Sequence, residues 1–532
     1  MLWRRGEVVA FSLERGRVMR SFLALGFTLA VANPAPAAPT DPAKLAERID
    51  AHIDARLKAG KVEAAPQADD VEFLRRAYLD LTGRIPSPRD VHDFLADKDP
   101  GKRAKLIDDL LDSPRHATHF ATVWRAALLP EAASDAQARV FQPGFEAWLR
   151  LKFRANTPYD TLVRELLTAP ISGDPNAPEA VLRDPAKPNA LAFFAVKDAK
   201  PENLAAATAR VFLGIQIECA QCHDHPFGRW ERDQFWQTAA FFAGVERQGD
   251  NVFAPVSDAR RREITIPNTK RTLYATFLDG GAPKWVAGTN PRTVLADWVT
   301  AKGNPFFARA TANRVWGHLF GRGIVDPVDD FNEANKPSHP ELLDEIAKAL
   351  ADADFDLKFL VRAVCRTKAY QRTSARTHAS QDDPRLFARM AVKGMTGEQL
   401  YDSLALATGY REQGGRAAQR DRFLAQFALR GPATEPETSI TQALALMNGR
   451  FVNQVTSVEG SPTLVAVCET PGMTTPDRIE ALYLAALSRK PTAKELDRMA
   501  KFVAGGGTGK QAERLADVFW VLLNSAEFRL NH

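Results

Sequence analysis

Two cysteines three positions apart, followed at once by a histidine, are the residues of this chain whose types and spacing most directly suggest chemistry: Cys219-Ala220-Gln221-Cys222-His223. Thiols at that spacing reach adjacent vinyl groups of one macrocycle, and the next imidazole can turn under the iron as axial ligand, so the pentapeptide reads as a haem c attachment site. Cys219 and Cys222 are then the thioether anchors and His223 the proximal ligand. The distal side is open, because no methionine lies between Met19 and Met390. Met395, Met447 or Met473 could approach from further along the chain, His318 or His339 could give bis-histidine ligation, and a five-coordinate iron is the remaining choice. His225 is too near His223 in sequence to clamp the opposite face of the same macrocycle, and Asp224-His225-Pro226 is polar where a haem pocket gains from apolar cover. Two other readings use the same residues. In one, Cys219, Cys222 and His225 are three zinc ligands, and His223 or an Asp or His from elsewhere completes a tetrahedron. In the other, Cys219 and Cys222 form a disulfide flanked by surface histidines.

The compartment bears on that choice. A basic start, an apolar run from Phe22 to Ala32 and small residues after it have the pattern of a signal peptide over 1–37, with cleavage after Ala32 or Ala37. Arg4-Arg5 lies far from the apolar run, and initiation at Met19 gives a compact leader, so the general secretory route is expected, delivering the chain to the periplasm or the medium. The run is about half of the roughly 20 residues a spanning helix needs, and no later segment is longer, so no membrane span is expected after cleavage. Five arginines against two glutamates put +3 of the net +5 in the leader. The nearly balanced remainder has no basic stripe and is not expected to bind nucleic acid. Four cysteines in 532 residues make no disulfide scaffold, and Cys365 and Cys468 read as buried thiols or one ordinary disulfide.

The elements around the motif are helical. Asp41-Pro42 supplies a cap and first-turn proline, Leu45, Ile49, Ile53 and Leu57 recur every four residues, and Gly60 ends the run. Helical periodicity follows at 71–81, 88–96, 103–111, 145–153 and 159–167. Leu204, Ala207, Val211 and Ile215 predict a helix from Glu202 to about Gln216, with Pro201 in its first turn and the motif at its end. A second helix, capped by Asp233 and carrying Phe235 and Trp236, is expected to close on it. Between 251 and 290 short β-rich pieces such as Ile264-Thr265-Ile266 and Ala275-Thr276-Phe277 appear, and helical periodicity resumes from Val294. The expected fold is therefore mainly α: an N-terminal helical domain at 38–250, a β-rich linker or insertion at 251–290 and a C-terminal helical domain at 291–532. Tyr78-Leu79, Arg84 and Pro86 are echoed by Tyr483-Leu484, Arg489 and Pro491, each followed by a capping box (Ser87 with Asp90, Thr492 with Glu495), which predicts a recurring helix, tight turn and capped helix.

Other clusters read as structure. Asn313-Arg314-Val315-Trp316-Gly317-His318 with Asp329-Asp330 suits a buried Arg–Asp network, and no phosphate loop, Ser-His-Asp order or paired carboxylates stand out.

Together, Arg75-Arg76-Ala77-Tyr78-Leu79-Asp80-Leu81-Thr82-Gly83, Leu110-Leu111-Asp112-Ser113-Pro114-Arg115, Phe212-Leu213-Gly214 leading into Cys219 to Phe227, and Ala240-Phe241-Phe242-Ala243-Gly244 resemble the planctomycete-type cytochrome-like domain of unknown function (PSCyt type). Leu295-Ala296-Asp297-Trp298, Asn313-Arg314-Val315-Trp316, Ser338-His339-Pro340, Gln442 to Asn448 and Leu522 to Phe528 resemble its companion C-terminal domain (PSD type), also of unknown function. The resemblance implies a cytochrome label resting on the same pentapeptide, and an exported redox or sulfatase-like protein as partner. The expected function is that of an exported c-type cytochrome-like protein with haem on Cys219, Cys222 and His223 and an electron-transfer or redox role. The alternative is a non-enzymatic exported binding or assembly protein in which His223, His225 and the two thiols hold zinc, or the thiols a disulfide. No catalytic residue is assigned.

Overall fold

The computed structural model describes residues 41–171, 186–226, 228–411, 417–427, 434, 440–505 and 508–532. The leader with its expected signal peptide lies outside the described residues. The described body is mainly α. Its longer helices are α1 (Pro42–Gly60), α2 (Asp70–Thr82), α3 (Pro88–Ala96), α4 (Lys102–Asp112), α5 (Pro114–Leu128), α6 (Gln142–Arg154), α7 (Tyr159–Leu167), α8 (Pro201–Thr208), α9 (Arg232–Ala239), α10 (Pro291–Val299), α11 (Phe307–Phe320), α12 (Pro340–Asp352), α13 (Leu357–Arg366), α14 (Gly397–Thr408), α15 (Thr475–Leu487), α16 (Ala493–Ala504) and α17 (Gln511–Asn524). No helix among the described residues is long and apolar enough to cross a membrane.

Local chemistry explains most boundaries. In α1 the Asp41 carboxylate accepts from the Ala43 N–H at 2.9 Å, Pro42 occupies the first turn, and Leu45, Ile49, Ile53 and Leu57 are buried in one stripe. Gly60 stays helical, and it is Lys61 that turns left-handed (φ 52°) to end the helix. The echoed segments form equivalent hairpins. α2 leads by a left-handed Gly83 into the Ser87–Asp90 capping box of α3, and α15 leads by a left-handed Ser488 into the Thr492–Glu495 box of α16.

The β pieces differ from expectation in register. Two antiparallel hairpins occur, Val245–Arg247 with Val256–Asp258 and Glu263–Thr265 with Thr272–Tyr274. Ile264 faces Leu273, so the partner strand starts directly after a turn with left-handed Asn268, and Ala275-Thr276-Phe277 falls past its end.

Two hydrophobic cores organise the helices. One joins residues from Leu45 to Leu278 with residues from Leu295 to Met390, so α1 packs against α12 and α13. The other gathers α14 to α17 and takes in Leu79 and Ile85 from the α2–α3 turn.

Helix α2 ties these parts together with charge. Arg75, fully buried, donates to the carbonyls of Ala486 (3.2 Å) and Phe528 (2.8 Å), and Arg76 donates to those of Tyr370 (2.7 Å) and Arg372 (2.9 Å). One turn on, the Asp80 carboxylate accepts from Lys393 Nζ (2.6 Å), Asn531 Nδ2 (2.6 Å) and the Tyr370 hydroxyl (2.9 Å). Buried charges survive only when paired and hydrogen-bonded, and here the partners come from segments 290 or more residues away in the chain.

Candidate functional site: the Cys219 to His223 turn

Pro201 opens α8, which continues through one wider π turn, Ala209–Leu213, and stops at Gly214. Gly214 has φ 71°, and a Cβ there would lie 2.7 Å from Phe331 Cδ2; its carbonyl accepts from the Phe331 N–H at 2.9 Å. The helix therefore ends before the expected Gln216, because only glycine admits both the left-handed backbone and the Phe331 ring. Ile215, Ile217 and Ala220 are buried and anchor the exit segment. A single 3-10 turn, Glu218–Gln221, then carries Cys219, with Cys222 as its last cap.

Ala220 is buried beneath the turn, and Cys219 and Cys222, on either side of it, are both exposed and both free thiols. Helix α9 holds the turn in place, as expected, since the Trp236 indole N–H donates to the Gln221 carbonyl at 3.0 Å. The Asp224 carboxylate accepts from the Arg232 N–H at 2.9 Å, and the His225 N–H donates to the Trp230 carbonyl at 2.8 Å. The N-cap of α9 is Glu231, whose N–H is accepted by the Gln234 side chain at 2.9 Å; Asp233 lies inside the first turn instead.

His223 is exposed, with Nδ1 2.8 Å from the Asp224 carbonyl oxygen. A carbonyl only accepts, so Nδ1 carries the proton, and the Nε2 lone pair faces outward. That is the tautomer a ligating histidine needs. His225 is half-buried. Among the described residues no group of three or more His, Cys, Asp or Glu is gathered closely enough to hold a metal ion, so Cys219, Cys222, His223 and His225 do not form a preassembled tetrahedral set.

Two free, exposed thiols three positions apart and a neighbouring exposed imidazole fit the anchoring half of a haem c site. The walls fit less well. A cleft of about 330 Å³ opens further along the loop, lined by Gly228, Arg229, Trp230, Phe306 and Phe331 among others, and neither thiol nor His223 contributes to it. A group held by Cys219, Cys222 and His223 would therefore be anchored at exposed residues and not in this cleft.

Of the residues considered for the distal side, three are engaged elsewhere, Met447 is exposed and Met473 is half-buried. His318 Nε2 donates to the Asp80 carbonyl at 2.9 Å and its ring packs 5.5 Å from that of His119. His339 is buried beside Phe387, Met395 belongs to the second core, and Met447 is exposed. Phe235, Trp236, Phe241 and Phe242 are all core residues. Cys365 is buried in the first core, Cys468 packs against the second, and both are free thiols.

Sequence reasoning missed the buried polar centre near α2. His116 and His119 are buried there and His318 half-buried beside them, and burial lowers the pKa of all three, that of His116 to about 4. In place of the Arg–Asp network expected around 313–330, where Arg314 forms no ion pair among the described residues, the centre is Asn313. It is fully buried, donates to the carbonyls of Val325 (2.8 Å) and Val328 (3.1 Å), and accepts from the Val325 N–H (3.0 Å). The legible signal was charge in phase with an apolar stripe, as with Arg76 and Asp80 one turn apart beside Phe73 and Ala77.

Residues 48–247 match the family PSCyt2, described as a protein of unknown function (DUF1549), and residues 291–432 match PSD1, also described as a protein of unknown function (DUF1553). No curated protein and no solved structure matches the chain.

Proposed function

We propose that this chain, a PSCyt2 domain followed by a PSD1 domain, is an exported c-type cytochrome-like protein carrying haem on Cys219, Cys222 and His223. The observation that carries the reading is the pairing of two free, exposed thiols, one in a 3-10 turn and one capping it, with a neighbouring histidine whose Nδ1–H is already given to the Asp224 carbonyl. Cys219 and Cys222 supply the thioether sulfurs, and His223 Nε2 supplies the axial ligand. Haem bound there contributes one-electron chemistry. The protein's part is to hold the turn still: Trp236 fixes the Gln221 carbonyl, and the Arg232 N–H fixes Asp224. Because all three anchors are exposed, a group held by them would be within reach of an exported redox or sulfatase-like partner.

A second reading rests on the same exposure. A zinc or disulfide staple needs no cleft, and His223 and the two thiols line none of the 330 Å³ cleft nearby. The chain is then a non-enzymatic binding or assembly protein. Expression with a cytochrome c maturation system separates the two. The haem reading predicts a Soret band, a positive covalent haem stain and one iron per chain. Zinc at one per chain, or neither metal with the thiols oxidised to each other, rejects it in favour of the staple.

A further inference from the structure

The duplicated hairpin offers an internal comparison at its arginine. In the second copy, Arg489 is saturated: Glu495 accepts from it at 2.8 and 2.9 Å, and Glu527 at 2.6 and 2.9 Å. Arg84 holds the same place in the first copy. The counterpart of Glu495 there is Asp90, one methylene shorter, and its Oδ2 is engaged by the Ser87 N–H (2.9 Å) and hydroxyl (2.6 Å). Nothing among the described residues takes the place of Glu527. The Arg84 Nε is buried with no hydrogen-bond partner among the described residues, and Arg84 makes no ion pair among them.

What stands beside Arg84 is a cavity of about 1030 Å³. Arg115, at the start of α5, lines it too, and so do Arg411, Asp402, Glu459 and Tyr410. The Tyr410 hydroxyl is a second buried polar atom without a partner among the described residues. Asp402 and Asp90 offset part of the Arg84 charge from a distance, but among the described residues the Asp402 ion pair, at 3.8 Å, is with Arg420. Three arginines and two carboxylates therefore border one space, with Arg115 close enough to help lower the pKa of Arg84 after burial has done so. Leaving the buried Arg84 Nε and Tyr410 hydroxyl unpaired is costly unless a hydrogen-bonding group reaches them.

We propose that this cavity binds an organic anion, with its oxyanion group held by Arg84 and Arg115 in the manner that Glu527 and Glu495 hold Arg489. Guanidinium forks match carboxylate, sulfate and phosphate oxygens in pairs. The space far exceeds one such group and is the size of a small-molecule site, so the rest of the ligand fills it and meets the Tyr410 hydroxyl.

Calorimetric titration of the full chain with glucose 6-phosphate, glucose 6-sulfate, glucuronate and glucose tests this, because one ring carries three anions or none. The expected result is binding of at least one charged sugar at least about tenfold tighter than glucose, lost on Arg84→Gln and on Arg115→Ala. Arg115 is exposed, so its variant keeps the fold and the test stands even if Arg84→Gln unfolds. Three results overturn the proposal: no charged sugar binding better than glucose, binding unchanged in Arg115→Ala, or inorganic sulfate and phosphate binding as tightly as the sugars.

Discussion

Replacing His116 with phenylalanine should flatten the acid side of this protein's stability profile. His116 lies on α5, is 3% exposed, packs with its ring tilted 4.1 Å from that of Phe120, and bonds through Nδ1 to the Leu81 carbonyl at 3.0 Å. Burial lowers its pKa from 6.5 to about 4, and Lys358 and His318 push in the same direction. A histidine with a depressed native pKa binds fewer protons folded than unfolded between those two values. Its stabilisation is therefore complete above pH 6.5 and is lost as pH falls through that window, levelling near pH 4. At pH 5 the unfolded imidazole has gained about 1.5 pH units of protonation free energy that the native one has not, or about 2 kcal/mol. The phenylalanine ring would leave the Leu81 carbonyl short of a donor at every pH, a constant offset of about 1–3 kcal/mol. Urea unfolding of both proteins, followed by far-UV circular dichroism at pH 7 and pH 5, isolates the pH-dependent part. The wild type should lose about 2 kcal/mol more than His116→Phe between the two pH values. Equal losses would refute the argument, since a solvated or charged His116 gives no such difference.

Three other outcomes follow from the same packing. Asp80→Ala should cost about 3–5 kcal/mol in urea unfolding, because it strands the Lys393 ammonium inside the core, whereas an unchanged midpoint would mean that water replaces the carboxylate. Gly83→Ala should destabilise by about 2–4 kcal/mol: the position has φ 73°, and a Cβ would lie 2.5 Å from His119 Nδ1. An unfolding midpoint equal to that of the wild type would show that the His119 ring moves aside freely. In the chain made without haem, Ellman's reagent should react fast with Cys219 and Cys222, more slowly with Cys468, and with Cys365 only on unfolding, where burial has pushed the thiol pKa up; early labelling of Cys365 would contradict its place in the core.

Periodicity and capping carried far into the structure but not everywhere. α1, α3 and α7 begin where their caps or prolines place them, and the Ser87 and Thr492 boxes form because each satisfies first-turn N–H groups within its own hairpin. α5 was not foreseen, since Ser113-Pro114 marks both the stop of α4 and the start of the next helix. Ser113 accepts from the His116 N–H, and Pro114 sits in the first turn, where its missing donor costs nothing. An apolar stripe says that a face is covered and leaves its partner unspecified, so the burial of α1 against α12 and α13 was not legible. Of the site, the placement of the motif between α8 and α9 followed from spacing. The outward tautomer of His223 did not, because it depends on one main-chain carbonyl.

The most direct test of the haem reading is the intact mass of the purified chain after expression with and without the cytochrome c maturation machinery. One added haem is expected only with the machinery present, retained through denaturation and absent in Cys219→Ser with Cys222→Ser, while His223→Ala keeps the mass and changes the absorption spectrum. A chain whose mass never exceeds that of its polypeptide under those conditions would contradict it.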